Sequence, residues 1–406
     1  MEKVRIKIII LTLARITSIE QRGNFQDFFR KLRNEGHEVC IVTPAERRYG
    51  KSTSLKIEGA AKILSVWTPN FQKATYFEKG IGTMLIEYLY SMAIHKYFKN
   101  QSFDLILYST PPITFTRLIT SLKKKFKAKT YLLLKDIFPQ NAVDLNLISN
   151  KGFIYRYFRK REKKLYQISD WIGCMSIANR DYVLKHNSWL PKRKVEINPN
   201  SIEINPIQSS KEAVKKYGDI FTDKVVFLYG GNLGKPQGLD FLLRVIAACS
   251  SIDKAFFLVV GSGTEQEKIE IWFEKNKPKN ALLLKELPKD EYDGLVEQCD
   301  VGLIFLHKNF TIPNYPSRIL PYMQSRKPIL CATDLNTDVG SDAEKNEYGY
   351  WCESGDLEQF IVYIKLLSEE SKLRSRLGNN AYKFLNDNFS VENSYSTLMN
   401  HFNNDI

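Results

Sequence analysis

Twice along this chain, short apolar runs of β type alternate with stretches of helical spacing, and the second series starts afresh after residue 200. No other feature constrains the fold as tightly. A strand, a helix and a further strand in succession make a crossover, and repeating that unit builds a parallel sheet covered by helices. In the first series residues 5–13, 37–43 (closed by Pro44), 104–109 (stopped by Pro111-Pro112), 129–134 and 171–176 read as strands, and residues 25–34, 81–98 and 154–168 as helices. In the second, residues 224–229, 255–260, Ala281–Leu284, 301–306 and 328–332 read as strands, with helices at 238–250 and 318–325. A chain of 406 residues exceeds one ordinary core. The expected fold is therefore α/β, with two doubly wound, Rossmann-like domains over residues 1–200 and 201–385 and a linker near 199–209.

Charge is divided along the same line. Residues 1–200 carry 36 Lys and Arg against 16 Asp and Glu, whereas residues 201–406 carry 23 against 29. The basic half calls for an anionic partner, a membrane surface or a nucleic acid. Its cations gather in two runs: Lys123, Lys124, Lys125, Lys127 and Lys129, then Arg156, Arg159, Lys160, Arg161, Lys163 and Lys164. Tyr157, Phe158 and Tyr166 interleave the second run, so helical projection sets a basic face beside an aromatic one. Such a helix can rest on an anionic bilayer, the alternative being an ordinary solvated face. Ile8-Ile9-Ile10-Leu11 is followed by no cleavage-site pattern, and no stretch approaches the roughly 18 apolar residues of a membrane span. Six scattered cysteines read as small core residues of a reducing compartment. The expected location is cytoplasmic, peripheral on the inner face of the membrane.

Three motifs point to chemistry. Gly230-Gly231-Asn232-Leu233-Gly234 follows a strand and precedes a helix, where backbone amides can approach a phosphate, and Lys235 and Gln237 add a charge and a hydrogen-bonding group. Pro316-Ser317-Arg318 opens a helix; Ser317 fits an N-cap, and Arg318 fits bidentate contact to a diphosphate. Lys135-Asp136 ends a strand at the sheet's carboxyl edge, where ligands bind in open α/β sheets. There Asp136 either orients an acceptor hydroxyl or caps the next helix. Ser109-Thr110 ends another strand at that edge, and Gly23-Asn24 opens the first helix. No Asp-x-Asp motif, nucleophile elbow or Walker loop occurs, so neither a metal nor a cofactor is expected.

In their order these motifs resemble those of the retaining glycosyltransferases of the GT-B fold, family 4. Asn34-Glu35-Gly36-His37-Glu38-Val39 is similar to that family's first helix–strand junction. Gly230–Gly234 with Gln237-Gly238 resembles its first donor loop, Gly261-Ser262-Gly263 its second, and Leu287-Pro288 its nucleobase segment. The segment from Phe389-Ser390 resembles its closing helix, which implies that residues 386–406 cross back to the first domain. The chain also departs from the pattern. Asn232 and Gln237 stand where the family places Arg and Lys, and Pro313 and Pro321 where it places paired glutamates. Pro316-Ser317-Arg318 resembles a sub-branch of bacterial capsule and O-antigen assembly that includes transferases of N-acetylfucosamine type.

The resemblance implies two domains facing across a cleft. It also implies a retaining hexosyltransferase that takes a sugar from a nucleoside diphosphate, a UDP-linked N-acetylamino sugar, and delivers it to a glycan or polyprenyl-linked saccharide acceptor. Gly231, Asn232, Gly234, Lys235, Gln237, Gly238, Gly261, Gly263, Leu287, Ser317 and Arg318 are the expected donor site. Gly23, Asn24, Ser109, Thr110 and Lys135 are the expected acceptor cleft, and Asp136, Lys235 and Arg318 the catalytic groups. The rival readings are a UDP-sugar 2-epimerase of the same fold and a non-enzymatic nucleic-acid-binding protein; no nucleic-acid partner is expected of the transferase.

Overall fold

The structure is a computed structural model that describes residues 4–71, 76–204 and 221–403, with the side chains of 76–84 outside that description. The chain divides into two compact units: Met1–Glu203 with Val391–Ile406, and Ile204–Ser390.

The first unit holds an eight-stranded sheet made of β1 (Lys7–Leu11), β2 (Glu38–Glu46), β3 (Ser54–Glu58), β4 (Ala61–Thr68), β5 (Leu105–Ser109), β6 (Lys129–Leu134), β7 (Trp171–Cys174) and β8 (Val195–Ile197). Their order is β3-β4-β2-β1-β5-β6-β7-β8, parallel except for the β3–β4 hairpin. The order reverses at the β1–β5 junction, the topological switch point. Central strands are buried on both faces, as their unbroken apolar runs require.

Two expectations need correction here. Pro44 does not close β2, which continues to Glu46. Pairing with β1 stops at Val42, while pairing with β4 runs on to Glu46. Beyond Val42 one side of β2 is therefore an edge, where a missing N–H is tolerated. The hairpin β3–β4 was not foreseen, although Gly59 in the left-handed region (φ 61°) forms its turn.

The second unit holds a six-stranded, wholly parallel sheet of β9 (Val225–Asn232), β10 (Ala255–Ser262), β11 (Ala281–Leu284), β12 (Val301–Phe305), β13 (Ile329–Thr333) and β14 (Gly349–Glu353). Its order is β11-β10-β9-β12-β13-β14, with the switch point between β9 and β12. Both sheets are thus of the expected doubly wound α/β type.

Helix Val391–Asn403 belongs to the first unit and packs on helix Asn24–Asn34, with Leu398 and Met399 in the same core as Phe29 and Leu32. Two histidines fasten it. The Ile6 amide donates to His37 Nδ1 (3.2 Å), so the neutral ring donates from Nε2 to the Tyr395 hydroxyl (3.1 Å). His401 meets the Glu196 carboxylate at 3.0 Å and stacks on Trp171 with ring centroids 4.2 Å apart. All six cysteines are buried and unbridged.

Candidate active site

The carboxyl ends of β9 and β10 bring the glycines of the second unit together. The segment Gly230-Gly231-Asn232 is not a free turn: it extends β9 and pairs with Val260, Gly261 and Ser262 of β10. Small residues permit this. A Cβ on Gly261 would sit 1.8 Å from Gly231 O, and one on Gly263 2.3 Å from Leu233 O. Gly231 itself holds φ at +124°, which side-chain-bearing residues rarely adopt. Asn232, at the position of the family's arginine, does not project as an arginine would. Its amide folds between Gly234 and Gly263, within 2.8 Å and 2.7 Å of where their Cβ atoms would stand.

Arg318 comes to the same place from the far side of the switch point. Its Cζ is 3.5 Å from the Cβ position of Gly231 and 4.9 Å from the Tyr229 ring centroid. A small network holds that wall: the Tyr229 hydroxyl donates to Asn232 O (2.7 Å), the Gly230 amide to the Tyr322 hydroxyl (3.0 Å), and the Tyr292 hydroxyl to that of Tyr322 (3.4 Å). Burial opposes the charge of Arg318, and the phenols of Tyr229, Tyr322 and Tyr292 outweigh it, leaving its pKa above the ordinary value. Arg318 makes no ion pair among the described residues, and its Nη1 is buried without a hydrogen-bond partner. A buried guanidinium donor without an acceptor costs free energy, and an anionic ligand relieves that cost.

Two expectations at this end change. Ser317 is not an N-cap. Arg318 itself occupies that position ahead of helix Ile319–Gln324, and no side chain caps it. The helix after the glycine segment, Asp240–Ala248, already has Asp240 in its first turn, paired with Lys268 at 2.5 Å. That acidic first turn opposes binding of a second anion there.

Lys235 is exposed at the start of the 3₁₀ turn Lys235–Gln237. Gln237 is buried, with Oε1 lacking a partner. Gly238 (φ 60°) faces the backbone just past β12, where a Cβ would sit 3.1 Å from the Cα of His307. His307 was singled out by no motif. Burial, then Lys235 and Lys308, lower its pKa. Leu287 is half-buried just after β11. An open hollow of about 540 Å³ beside β11 is lined by Leu233, Gly261, Gln266, Phe273 and Leu284 among others.

In the first unit the candidates follow β1, β5 and β6, three adjacent strands at the switch point. Thr110 is a clamp. Its hydroxyl accepts from the amides of Lys135 (3.0 Å) and Asp136 (3.2 Å) and donates to Asp136 O (3.1 Å), which uses its full capacity. It therefore shapes the Lys135-Asp136 turn rather than offering a hydroxyl to an acceptor; Ser109 is buried beside it. Asp136 does not cap the next helix, Gln140–Asp144, which has no side-chain cap. Instead Asn141 Nδ2 donates to Asp136 Oδ2 (2.7 Å). Burial, with the Glu162 carboxylate adding to it, pushes the Asp136 pKa up to about 6 against the pull of the Ile137 amide and Asn141. Burial lowers Lys135 to about 7; its Nζ donates to Asn198 O at 3.4 Å. Lys135, Asn24 and Asn198 line one small recess. Gly23 precedes the first helix, with no side-chain cap on the helix amides.

Residues 210–384 match the family described as Glycosyl transferases group 1. The chain carries a glycosyltransferase group 1 domain. It is a glycosyltransferase, and its matched domain contains the whole Gly231–Arg318 site. It is 22% identical over 325 residues to the probable glycosyltransferase WbjE of Pseudomonas aeruginosa, covering 79% of each chain. Among solved structures, a sucrose-phosphate synthase of Thermosynechococcus elongatus superposes with a TM-score of 0.76 at 14% identity, over 98% of both chains. Anabaena HepE in complex with UDP gives 0.68 at 13% identity, over 98% of this glycosyltransferase and 99% of that chain.

Proposed function

We propose that this glycosyltransferase moves a sugar, with retention, from a nucleoside diphosphate to a glycan acceptor. The observation that carries the reading is the unpartnered Nη1 of Arg318 against Gly231, at the carboxyl edge beside the switch point of the second sheet. A diphosphate supplies the acceptor oxygens this donor lacks. Solved HepE complexes hold UDP and UDP-glucose, which supports a UDP-linked donor here. The main catalytic demand is stabilising charge on the departing diphosphate. Arg318, the exposed Lys235 and backbone amides of the glycine segment meet it without a metal or other cofactor. Asp136, held by Asn141, orients the acceptor hydroxyl, and Lys135 lies beside it.

The finer reading is an N-acetylamino sugar delivered to a polyprenyl-linked saccharide in surface polysaccharide synthesis, by a protein lying on the inner face of the membrane. It rests on the Pro316-Ser317-Arg318 resemblance and on the basic first half. Among the described residues no helix is long and apolar enough to cross a membrane. A thermal-shift panel of nucleoside diphosphate sugars, with and without EDTA, tests the proposal. A UDP-N-acetylamino sugar is expected to raise Tm by several degrees, unchanged by EDTA, because a ligand bound to the native state adds stability. No stabilisation by any nucleoside diphosphate or its sugar, or conversion of the donor to its 2-epimer without acceptor, would overturn it.

A further inference from the structure

Helix Phe153–Ile168 connects β6 to β7, which are parallel, so it runs back against the strands and its first turns lie at the carboxyl edge of the sheet. Those turns carry exposed apolar side chains, although the Tyr157 ring also meets Phe158 and the Arg161 guanidinium. Phe153 is 81% exposed, Ile154 55% and Tyr157 39%, and Leu147 in the preceding loop is 56% exposed. Single exposed apolar residues are ordinary, but four at one helix start form a patch. The neighbouring aromatic, Phe158, turns inward instead and meets Phe138 at 5.0 Å, two positions from Asp136.

The cations of this helix divide into two kinds. Arg159 is bound to Glu162 and the His186 carbonyl, and Arg161 to Thr116. These hold the helix in place. Lys151, Arg156, Lys160, Lys163 and Lys164 are exposed and make no ion pair among the described residues. An exposed apolar tip with unpaired cations beside it and along the same helix complements an anionic bilayer: the side chains fit the acyl boundary and the cations the lipid phosphates.

We infer that Leu147, Phe153, Ile154 and Tyr157 form a wedge that inserts into an anionic bilayer. This deepens the proposed function, resting on its reading of a lipid-linked acceptor, and accounts for how such an acceptor reaches Asp136. Insertion brings the β6 edge down to the headgroup layer, where the sugar-bearing end of a lipid-linked saccharide lies.

Sedimentation of the full chain with phosphatidylcholine vesicles, with and without phosphatidylglycerol, tests it. The wild type is expected to bind the phosphatidylglycerol vesicles and to retain part of that binding in high salt, since salt screens the cations but not the apolar contact. Phe153→Gln with Ile154→Gln is expected to bind at least about tenfold more weakly, having lost two large apolar side chains. That variant should keep its Tm and its transfer to a water-soluble acceptor. The wedge is overturned if the wild type ignores these vesicles, if the double variant binds as well, if high salt removes all binding, or if the substitutions instead split a dimer in solution. Failure of transfer by the wild type with vesicle binding intact would count against the enzymatic reading and leave the wedge standing.

Discussion

The Arg318 guanidinium lies over the ring of Tyr229, 4.9 Å from its centroid, with Nη1 buried and unpartnered beside Gly231. Tyr229 and Gly231 sit on β9 and Arg318 ahead of Ile319, so the contact spans the switch point of the sheet. It ties the local backbone to the charge that the proposed chemistry needs.

Gly231→Ala tests the backbone half of that relationship. At φ +124° an alanine is strained, costing about 1–3 kcal/mol, while its methyl carbon would only reach ordinary contact with Arg318 Cζ. Chemical denaturation should show a loss in that range together with weakened donor binding. Wild-type stability and binding would show that the glycine serves neither.

Asp136 should set an acidic limb in kcat/KM. Burial raises its pKa to about 6, so the carboxylate proposed to orient the acceptor is lost below that pH, with activity falling about tenfold per unit. Asn141→Ala removes a donor that favours the ionised form and should move the limb upward; Asp136→Asn should remove it along with most activity. The stability sign is opposite to that of a paired carboxylate. Because the folded pKa lies above the unfolded one, the cost of burial grows as pH rises from about 4 to 6 and is complete above that. Asp136→Asn should therefore stabilise the fold at pH 7. A limb unmoved by Asn141→Ala would remove Asp136 from this role.

Lys135 offers a second pH test. Its folded pKa of about 7 lies below its unfolded value, so the unfolded chain binds the extra proton between about pH 7 and 10 and wild-type stability rises across that window. Lys135→Met should stabilise by up to about 5 kcal/mol at pH 6, with the gain shrinking toward pH 10. Transfer should fall, since stability here is exchanged for a polar site. A gain independent of pH would mean that Lys135 is not buried as a free amine.

His37 and Tyr395 should couple. Removing either partner of this part-buried bond should cost about 1 kcal/mol, and a double-mutant cycle of His37→Ala and Tyr395→Phe should show non-additivity. Additive losses would mean that the bond does not help hold the C-terminal helix to the first unit.

The sheets were legible because buried parallel strands need unbroken apolar runs, and the segments around β1, β5, β9 and β12 have them. The β3–β4 hairpin was not, because Lys56, Glu58 and Lys62 on an edge carry the polarity of a loop. Arg318 was legible as a candidate phosphate ligand from its place after Pro316-Ser317, and the structure sets it beside Gly231. Its surroundings were not. Tyr229, Tyr292 and Tyr322 are scattered along the sequence and meet only when β9 pairs across the switch point. Thr110 misled for a related reason: its position at a strand's end suggested an acceptor contact, but its hydroxyl is used by the neighbouring turn.

UDP binding to the wild type, Arg318→Ala and Arg318→Lys, measured by titration calorimetry with the melting curve of each variant as a folding control, tests the central claim most directly. The account predicts that folded Arg318→Ala binds UDP about 10- to 100-fold more weakly and that Arg318→Lys recovers only part of the loss, because a point charge does not reproduce a bidentate fork. Equal affinity in all three would contradict it.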